Sequence, residues 1–300
     1  MTTVRSTAYS IVGLMLLSVF ASFGGLIAEN DEVVFELEKE PTEFEATSPG
    51  HPVFAEYMGA HWCGPCITAT SNLKNLYNTN GGGGTQSADF TFVSFWESQT
   101  SGWPADSPIN RRSHIQNAPG YTGGIPVTVF GDAPSGTYYT VGGQNYDSFY
   151  QNGGNMQNAN DYALSVIQSE NGNNMDIEIT ALYSGSGTKN VYLYAAVTEE
   201  KGYEPYTAGS GSDHPPNLWK KWLLNSGNSG FETFTLTSGT PVTKTWSVPT
   251  STARAVSGIS SADNFLTVAA LMDGDHTNHR NVLSAGDSNM APTIDLGIQT

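Results

Sequence analysis

Positively charged residues are scarce in this chain of 300 amino acids. It holds 12 Lys and Arg against 28 Asp and Glu, which gives a formal net charge of −16. A surface with so few cations cannot neutralise a phosphate backbone, so we expect no nucleic-acid partner. Charged residues of both signs make up only 13% of the chain, which excludes a coiled coil or a long helical bundle.

Cysteine is scarcer still, since the chain has only two, Cys63 and Cys66. A zinc site usually needs about four ligands and often a second cysteine pair, which the chain lacks. A disulfide between residues so close in sequence also constrains the unfolded chain little, because this stabilisation grows with loop length. A structural role for the pair stays open, but a chemical role is favoured.

One long apolar run, residues 11–28, follows a short segment whose single cation is Arg5. This order predicts a signal peptide or an N-terminal anchor over residues 1–28. Cleavage after Ala28 is the first choice, and membrane anchoring by residues 8–28 is the alternative. Both predict an extracytoplasmic protein, either secreted or anchored to the outer face of the cytoplasmic membrane.

Residues 29–50 form an acidic linker, with eight acids and one lysine between Glu29 and Glu45. This short segment carries almost half of the excess negative charge. The remainder of the chain is therefore only mildly acidic.

Apolar periodicity divides the rest of the chain into two parts. In residues 51–170 strand patterns alternate with helical spacing, including helices at 65–77 and 161–168, which predicts a β-α-β unit with a parallel strand pair. Residues 175–300 hold β-branched and aromatic runs separated by Gly, Ser and Asn, with one short helix at 218–224. This second pattern predicts an all-β sandwich.

The two cysteines lie in the run Trp62-Cys63-Gly64-Pro65-Cys66, at the predicted junction of a strand and a helix. There, the helix dipole and unpaired backbone N–H groups stabilise a thiolate on the first cysteine. Cys63 is therefore the candidate nucleophile, and Cys66, one turn into the helix, is the candidate resolving thiol. Pro65 suits the first helical turn, where its missing N–H would have no partner.

This run resembles the active-site motif of the thioredoxin superfamily, in which a second motif faces the cysteines. About sixty residues after Cys66, Gly124-Ile125-Pro126 precedes a strand and resembles the family's cis-proline loop. The strand belongs to a predicted hairpin of residues 126–130 and 137–141. The resemblance implies that Ile125 and Pro126 hold an extended substrate backbone.

The same resemblance implies the fold and the supporting residues. It predicts an α/β thioredoxin-like domain over residues 51–170, and the strand pattern described above predicts that an all-β sandwich domain follows over residues 175–300. Around the cysteine pair, it assigns supporting roles to Trp62, Gly64 and Pro65.

The family's buried acid, six residues before the first cysteine, is replaced here by Tyr57. Glu56 is adjacent, but strand alternation directs it to the opposite face from Tyr57. Two interpretations of Glu56 stay open: a proton acceptor for Cys66, or an ordinary acid that is partly exposed or held in a structural ion pair.

A second resemblance concerns the C-terminal half. A thioredoxin-like unit is combined here with a predicted sandwich that holds a His-rich loop before a hydrophobic pair. A strand ending at Asp273 and the run Val282-Leu283-Ser284-Ala285 follow, and this combination resembles the Omp28-related family of exported proteins. The resemblance implies the two-part architecture and an extracytoplasmic location.

These motifs predict an exported thiol–disulfide oxidoreductase that acts on protein thiols or disulfides and needs no cofactor. A redox donor protein would be required if it works as a reductant. One alternative is a non-enzymatic surface or binding protein whose cysteine pair is a structural clip or a vestige. Another is delivery of copper or zinc by the two thiolates.

A metal site in the C-terminal loop is not expected. His276 and His279 follow Asp273 and Asp275, a mixture that suits neither calcium nor zinc cleanly. A polar end-loop of a sandwich accounts better for these four residues.

Overall fold

The computed structural model opens with a strand, a helix and a second strand, as the periodicity predicts. β1 (Val53–Ala60) and β2 (Phe90–Glu97) pair in parallel, and α1 (Gly64–Asn80) follows β1. The described residues are 52–80, 89–104, 111–116, 121, 123–131, 139–141, 146–147, 149–150, 161–208, 213–224, 232–273 and 282–290.

The rest of the described chain contributes one short helix, a 3-10 turn and ten strands. The helix is α2 (Arg111–Gln116), and the turn is Thr250–Thr252. The strands are β3 (Val127–Phe130), β4 (Tyr139–Val141), β5 (Tyr162–Asn171), β6 (Asn174–Tyr183), β7 (Thr188–Lys201), β8 (Pro216–Trp222), β9 (Glu232–Thr237), β10 (Val242–Pro249), β11 (Phe265–Met272) and β12 (Val282–Asp287).

A mixed sheet of nine strands includes strands from both parts of the sequence. Its order is β12-β11-β7-β8-β2-β1-β3-β4, with β9 paired to β7. β2 and β8 join the two parts through a parallel pairing of Ser94 with Leu218. The other three strands form an antiparallel sheet of order β10-β6-β5. The described residues lie in one compact unit, and the domain limits at 51–170 and 175–300 stay a prediction.

The expected fold class, an α/β thioredoxin-like domain followed by an all-β sandwich domain, is wrong. The chain is mostly β, with mixed and antiparallel sheets and two α-helices among the residues that the structure describes. The physical reason lies in how the two faces of β1 and β2 are covered. α1 covers one face, but side chains of β7, β11 and β12 cover the other, so the large sheet curls onto itself.

Two predicted helices are strands in the structure. Residues 161–168 belong largely to β5, where Leu164 and Val166 are buried and Ile167 is 41% exposed. Residues 218–224 belong largely to β8, which pairs with both β7 and β2. Both segments are short, and pairing with neighbouring strands decides their structure.

β1 separates two buried clusters of side chains. Val53, Ala55 and Tyr57 pack toward α1, whereas Phe54 and Met58 pack toward the curled-over strands. A third cluster lies between the antiparallel sheet and the strands β7, β9, β11 and β12. Alternation over residues 53–58 places neighbouring residues of β1 in different environments.

A buried carboxyl group links β12 to the N-terminal β-α-β unit. Thr91 Oγ1 in β2 donates to Asp287 Oδ2 over 2.6 Å, and the backbone N–H of Asn289 donates to Oδ1 over 3.0 Å. Burial raises the pKa of Asp287 to about 6. The start of β2 and the end of β12 are thus joined by a side-chain hydrogen bond.

Several sequence predictions fall outside the described residues. These are the signal peptide or anchor at 1–28, the acidic linker at 29–50, and the loop residues Asp275, His276 and His279. Within the ranges that the structure describes, no helix is long and apolar enough to cross a membrane.

Candidate functional site

The two cysteines form a disulfide between the end of β1 and the first turn of α1. Their Cα atoms are 5.3 Å apart. The turn is held by the Cys63 N–H, which donates to the Ala60 carbonyl over 3.1 Å, and by the Cys66 N–H, which donates to the Cys63 carbonyl over 3.2 Å. The pair is therefore placed at the N-terminus of a 17-residue helix.

The two sulfur-bearing residues differ in their access to solvent. Cys63 is 3% exposed and Cys66 is fully buried. The neighbours of Cys63 are open, since Gly64 and Pro65 are exposed and Trp62 is 56% exposed. Cys63 is thus flanked by exposed residues, whereas Cys66 has no solvent access.

Trp62 keeps a fixed position although its ring is exposed. Its Nε1 donates to Glu97 Oε2 over 3.0 Å, at the end of β2. The Glu97 backbone carbonyl accepts from the His61 N–H over 3.1 Å. Glu97 therefore holds the two residues that precede Cys63.

The proline loop lies at the same end of the sheet as the cysteines. Ile125–Pro126 is cis, as predicted, and Pro126 directly precedes β3. β3 pairs antiparallel with β1, with Val127 opposite Met58, so Pro126 lies beside the end of β1. Ile125 packs against the cluster that includes Cys63 and Cys66. A substrate-holding role for Ile125 and Pro126 stays a prediction.

The structure does not bring Glu56 to the cysteine pair. Arg111 of α2 donates from Nε to Glu56 Oε1 over 2.9 Å, and from Nη2 to Oε2. Both side chains are buried, on the face of β1 opposite Tyr57. Of the two interpretations of Glu56, the structure contains the ion pair, because alternation along β1 turns the carboxylate away from α1.

Hydroxyl groups occupy the space behind Cys66. The Cys66 carbonyl accepts from Thr70 Oγ1 over 3.0 Å, from Tyr206 Oη over 3.2 Å and from Tyr57 Oη over 3.5 Å. Burial is the main cause that raises the pKa of both phenols well above the usual range, so both are neutral donors near neutral pH. We call Tyr57, Thr70 and Tyr206 the hydroxyl cluster.

Gly59 makes room for the Tyr57 ring. A Cβ atom at residue 59 would overlap the Tyr57 hydroxyl oxygen and would lie 2.6 Å from the ring carbon that carries it. Only glycine allows this close approach of strand and ring. The bulky Tyr57 ring is thus accommodated by the glycine two residues later in the chain.

Tyr206 and Thr207 come from the connection between β7 and β8, and sequence reasoning missed both. Thr207 donates to the His61 carbonyl from its backbone N–H over 2.9 Å and from Oγ1 over 3.0 Å. These residues follow Cys66 by about 140 positions, and no local pattern in the sequence links them to the cysteines. The position of Tyr206 and Thr207 beside the cysteines depends on the pairing of β8 with β2.

A metal-binding cluster is absent from the part of the chain that the structure describes. Those residues contain no group of three or more His, Cys, Asp and Glu side chains arranged to hold an ion. Asp273 is the described member of the four loop residues considered above.

Comparisons with known proteins define the fold only. No known family matches the sequence, and no curated protein matches it. HBP35 of Porphyromonas gingivalis has a similar structure, with a TM-score of 0.55, 13% identity, and coverage of 83% of this chain and 79% of that chain.

Two other solved structures are less similar. The protein AGR_C_4864 from Agrobacterium tumefaciens has a TM-score of 0.45 and 13% identity, and the match covers 82% of this chain and 97% of that chain. β-Glucosidase 3B from Thermotoga neapolitana has a TM-score of 0.23 and 11% identity over 42% of this chain and 15% of its own. The chain therefore shares its overall fold with HBP35, and this likeness carries no information about activity.

Proposed function

We propose that this chain is an exported thiol–disulfide oxidoreductase that acts on protein thiols or disulfides through Cys63 and Cys66. One observation carries the proposal: the chain's two cysteines form a disulfide at a helix N-terminus, with Cys63 only 3% exposed but flanked by exposed residues and Cys66 fully buried. The resemblance of the Trp-Cys-Gly-Pro-Cys run to the thioredoxin superfamily supports the same activity.

The location of Cys63 favours a reactive thiolate in the reduced protein. The positive end of the α1 dipole stabilises negative charge at this end of the helix. No acidic residue lies in the first turn of α1 to oppose this effect. The pKa of the Cys63 thiol should therefore lie below that of a free cysteine, about 8.5.

The reaction balances without a cofactor. The Cys63 thiolate attacks one sulfur of a substrate disulfide, forms a mixed disulfide, and releases the other substrate sulfur as a thiolate, which takes a proton from solvent. The Cys66 sulfur then attacks Cys63, closes the internal disulfide, and gives its proton to the departing substrate sulfur. The substrate gains two electrons and the cysteine pair loses two, and the reverse sequence oxidises a substrate dithiol.

The residues around Cys63 suit a protein substrate better than a small molecule. Trp62 offers a large exposed apolar ring that Glu97 holds in place, and Pro65 is exposed beside it. Ile125 and Pro126 border the same end of β1 and supply the proposed site for an extended substrate backbone. An exported protein that reduces substrates would also need a donor protein to regenerate its thiols.

A second candidate function is a non-enzymatic surface or binding protein in which the disulfide is a structural clip. The low exposure of Cys63, 3%, favours this alternative, because an inert clip needs no access for a partner. A clip and an enzyme differ in turnover, which makes the two functions separable by experiment.

A turnover assay tests the proposal. The protein should accelerate the reduction of a protein disulfide by dithiothreitol at least about tenfold over dithiothreitol alone, since enzymatic thiol exchange depends on an activated thiolate. Cys63→Ala should return the rate to the uncatalysed value. Equal rates with the wild-type protein and with Cys63→Ala would contradict the proposed function.

A further inference from the structure

Residues of the connection between β7 and β8 form hydrogen bonds with the backbone at both ends of the cysteine motif. Tyr206 Oη donates to the carbonyl of Cys66, and Thr207 bonds twice to the carbonyl of His61. These two carbonyls flank the disulfide in sequence. A segment from the C-terminal half of the chain thus contacts the backbone just before and just at the cysteine pair.

Tyr206 is itself held on several sides. Its ring meets Trp96 edge to face, with centroids 4.5 Å apart, and its hydroxyl lies 2.9 Å from Thr70 Oγ1. Its backbone N–H donates to the Asp213 carbonyl over 2.8 Å. The side chain is 1% exposed, so water does not compete for its bond to Cys66.

Glu204 fixes the start of the same segment to the turn that follows β2. Its carboxylate accepts from Ser98 Oγ over 2.7 Å, from Thr100 Oγ1 over 2.6 Å and from the Gln99 N–H over 3.0 Å. The segment that carries Tyr206 is therefore anchored to the turn after β2 by Glu204 and to β2 itself by the ring contact with Trp96.

We infer that Tyr206 is a positioning residue for Cys66, and that through it the C-terminal half of the chain sets the stability of the Cys63–Cys66 disulfide. This inference rests on the proposed function for its biological meaning. The phenol holds the Cys66 peptide in the orientation seen in the disulfide-bonded pair. Without it, the Cys66 thiol samples more positions, and its effective concentration toward Cys63 falls.

The expected effect is a shift in the thiol–disulfide equilibrium. Tyr206→Phe should lower the equilibrium constant for closing the disulfide about fivefold, as expected for one hydrogen bond of ordinary strength. For a two-electron couple this fold-change corresponds to a reduction potential about 20 mV less negative. Thr70→Val, which removes a second donor to the same carbonyl, should shift the potential in the same direction.

Tyr183→Phe is the matched control. Tyr183 is a buried tyrosine whose hydroxyl also donates to a backbone carbonyl, that of Ser186, over 3.2 Å. It lies in the core between the two sheets, in a different cluster from the cysteines. Loss of the Tyr183 hydroxyl should lower the free energy of unfolding without changing the reduction potential of the Cys63–Cys66 disulfide.

The experiment equilibrates the wild-type protein and the three variants in glutathione redox buffers and measures the oxidised fraction by thiol labelling. A shift of about 20 mV with Tyr206→Phe but none with Tyr183→Phe supports the inference. Equal potentials for Tyr206→Phe and the wild type, or equal shifts for both tyrosine variants, would overturn it. If Tyr206→Phe does not fold, Thr70→Val is judged by the same criteria.

The labelling samples also separate this inference from the proposed function. The potential of the disulfide is measurable whether or not the protein has a substrate. A slow alkylation rate of Cys63 in the reduced wild-type protein would contradict the oxidoreductase proposal alone. An unshifted potential beside a fast alkylation rate would contradict the role of Tyr206 alone.

Discussion

Cys66→Ala is expected to accumulate mixed disulfides with exported proteins of the source cell. The substitution leaves the proposed nucleophile, Cys63, but removes the group that attacks the mixed disulfide and releases the partner. The change should be close to all-or-none, because the chain has no other cysteine to replace Cys66. Trapped species should appear as larger bands on non-reducing gels and vanish on reduction.

Cys63→Ala provides the control for this trapping experiment. It keeps Cys66, which is fully buried and should trap no partner. Absence of trapped partners from both variants would support the structural clip instead. Equal trapping by both variants would contradict the assignment of nucleophile and resolving thiol from their positions at the helix.

Arg111→Met should lower the free energy of unfolding by about 3–5 kcal/mol, because it leaves the Glu56 carboxylate buried without its cation. The two side chains are bonded through two nitrogens and two oxygens, and both are excluded from solvent. Chemical denaturation monitored by tryptophan fluorescence would measure the loss.

The double variant Glu56→Leu/Arg111→Met supplies the comparison for this prediction. Removal of both charges should recover much of the stability lost in the single variant, since replacing a whole buried ion pair by apolar groups is often close to neutral. If the free energy of unfolding of the Arg111→Met variant falls by less than about 1 kcal/mol, the claim that Glu56 and Arg111 form a strongly coupled buried ion pair is contradicted.

Local patterns were sufficient to predict the β-α-β unit, the cysteine turn and the proline hairpin. Each depends on residues close in sequence: the apolar spacing of α1, Pro65 in its first turn, and the run from Pro126 into β3. Antiparallel pairing of β3 with β4 confirms the predicted hairpin. Alternation along β1 also correctly predicted that Glu56 and Tyr57 face opposite sides.

The segment around Trp219 and Trp222 shows why a strand was mistaken for a helix. Residues three apart share a face of a helix, and these two tryptophan rings are indeed neighbours, with centroids 5.5 Å apart. In the structure they share a side because the register of β8 against β7 shifts between Val197 and Thr198. Such an irregularity imitates helical spacing and leaves no separate sequence signal.

The overall fold and part of the site depend on pairings between distant residues. β2 pairs with β8 through one residue pair, Ser94 with Leu218, and this pairing joins the N-terminal strands to the C-terminal strands in one sheet. That pairing also brings Tyr206 to Cys66, 140 residues away. Neither pairing could be predicted from periodicity, because strand patterns define a face but not a partner.

The pH dependence of Cys63 alkylation in the reduced Cys66→Ala variant tests the central claim most directly, because Cys63 is then the sole thiol of the chain. A thiolate stabilised at the N-terminus of α1 should react with a midpoint below about pH 7.5, against about 8.5 for a free cysteine. Unfolding the variant in denaturant should move the midpoint back to about 8.5. A midpoint at or above that of the unfolded chain would contradict a catalytic Cys63.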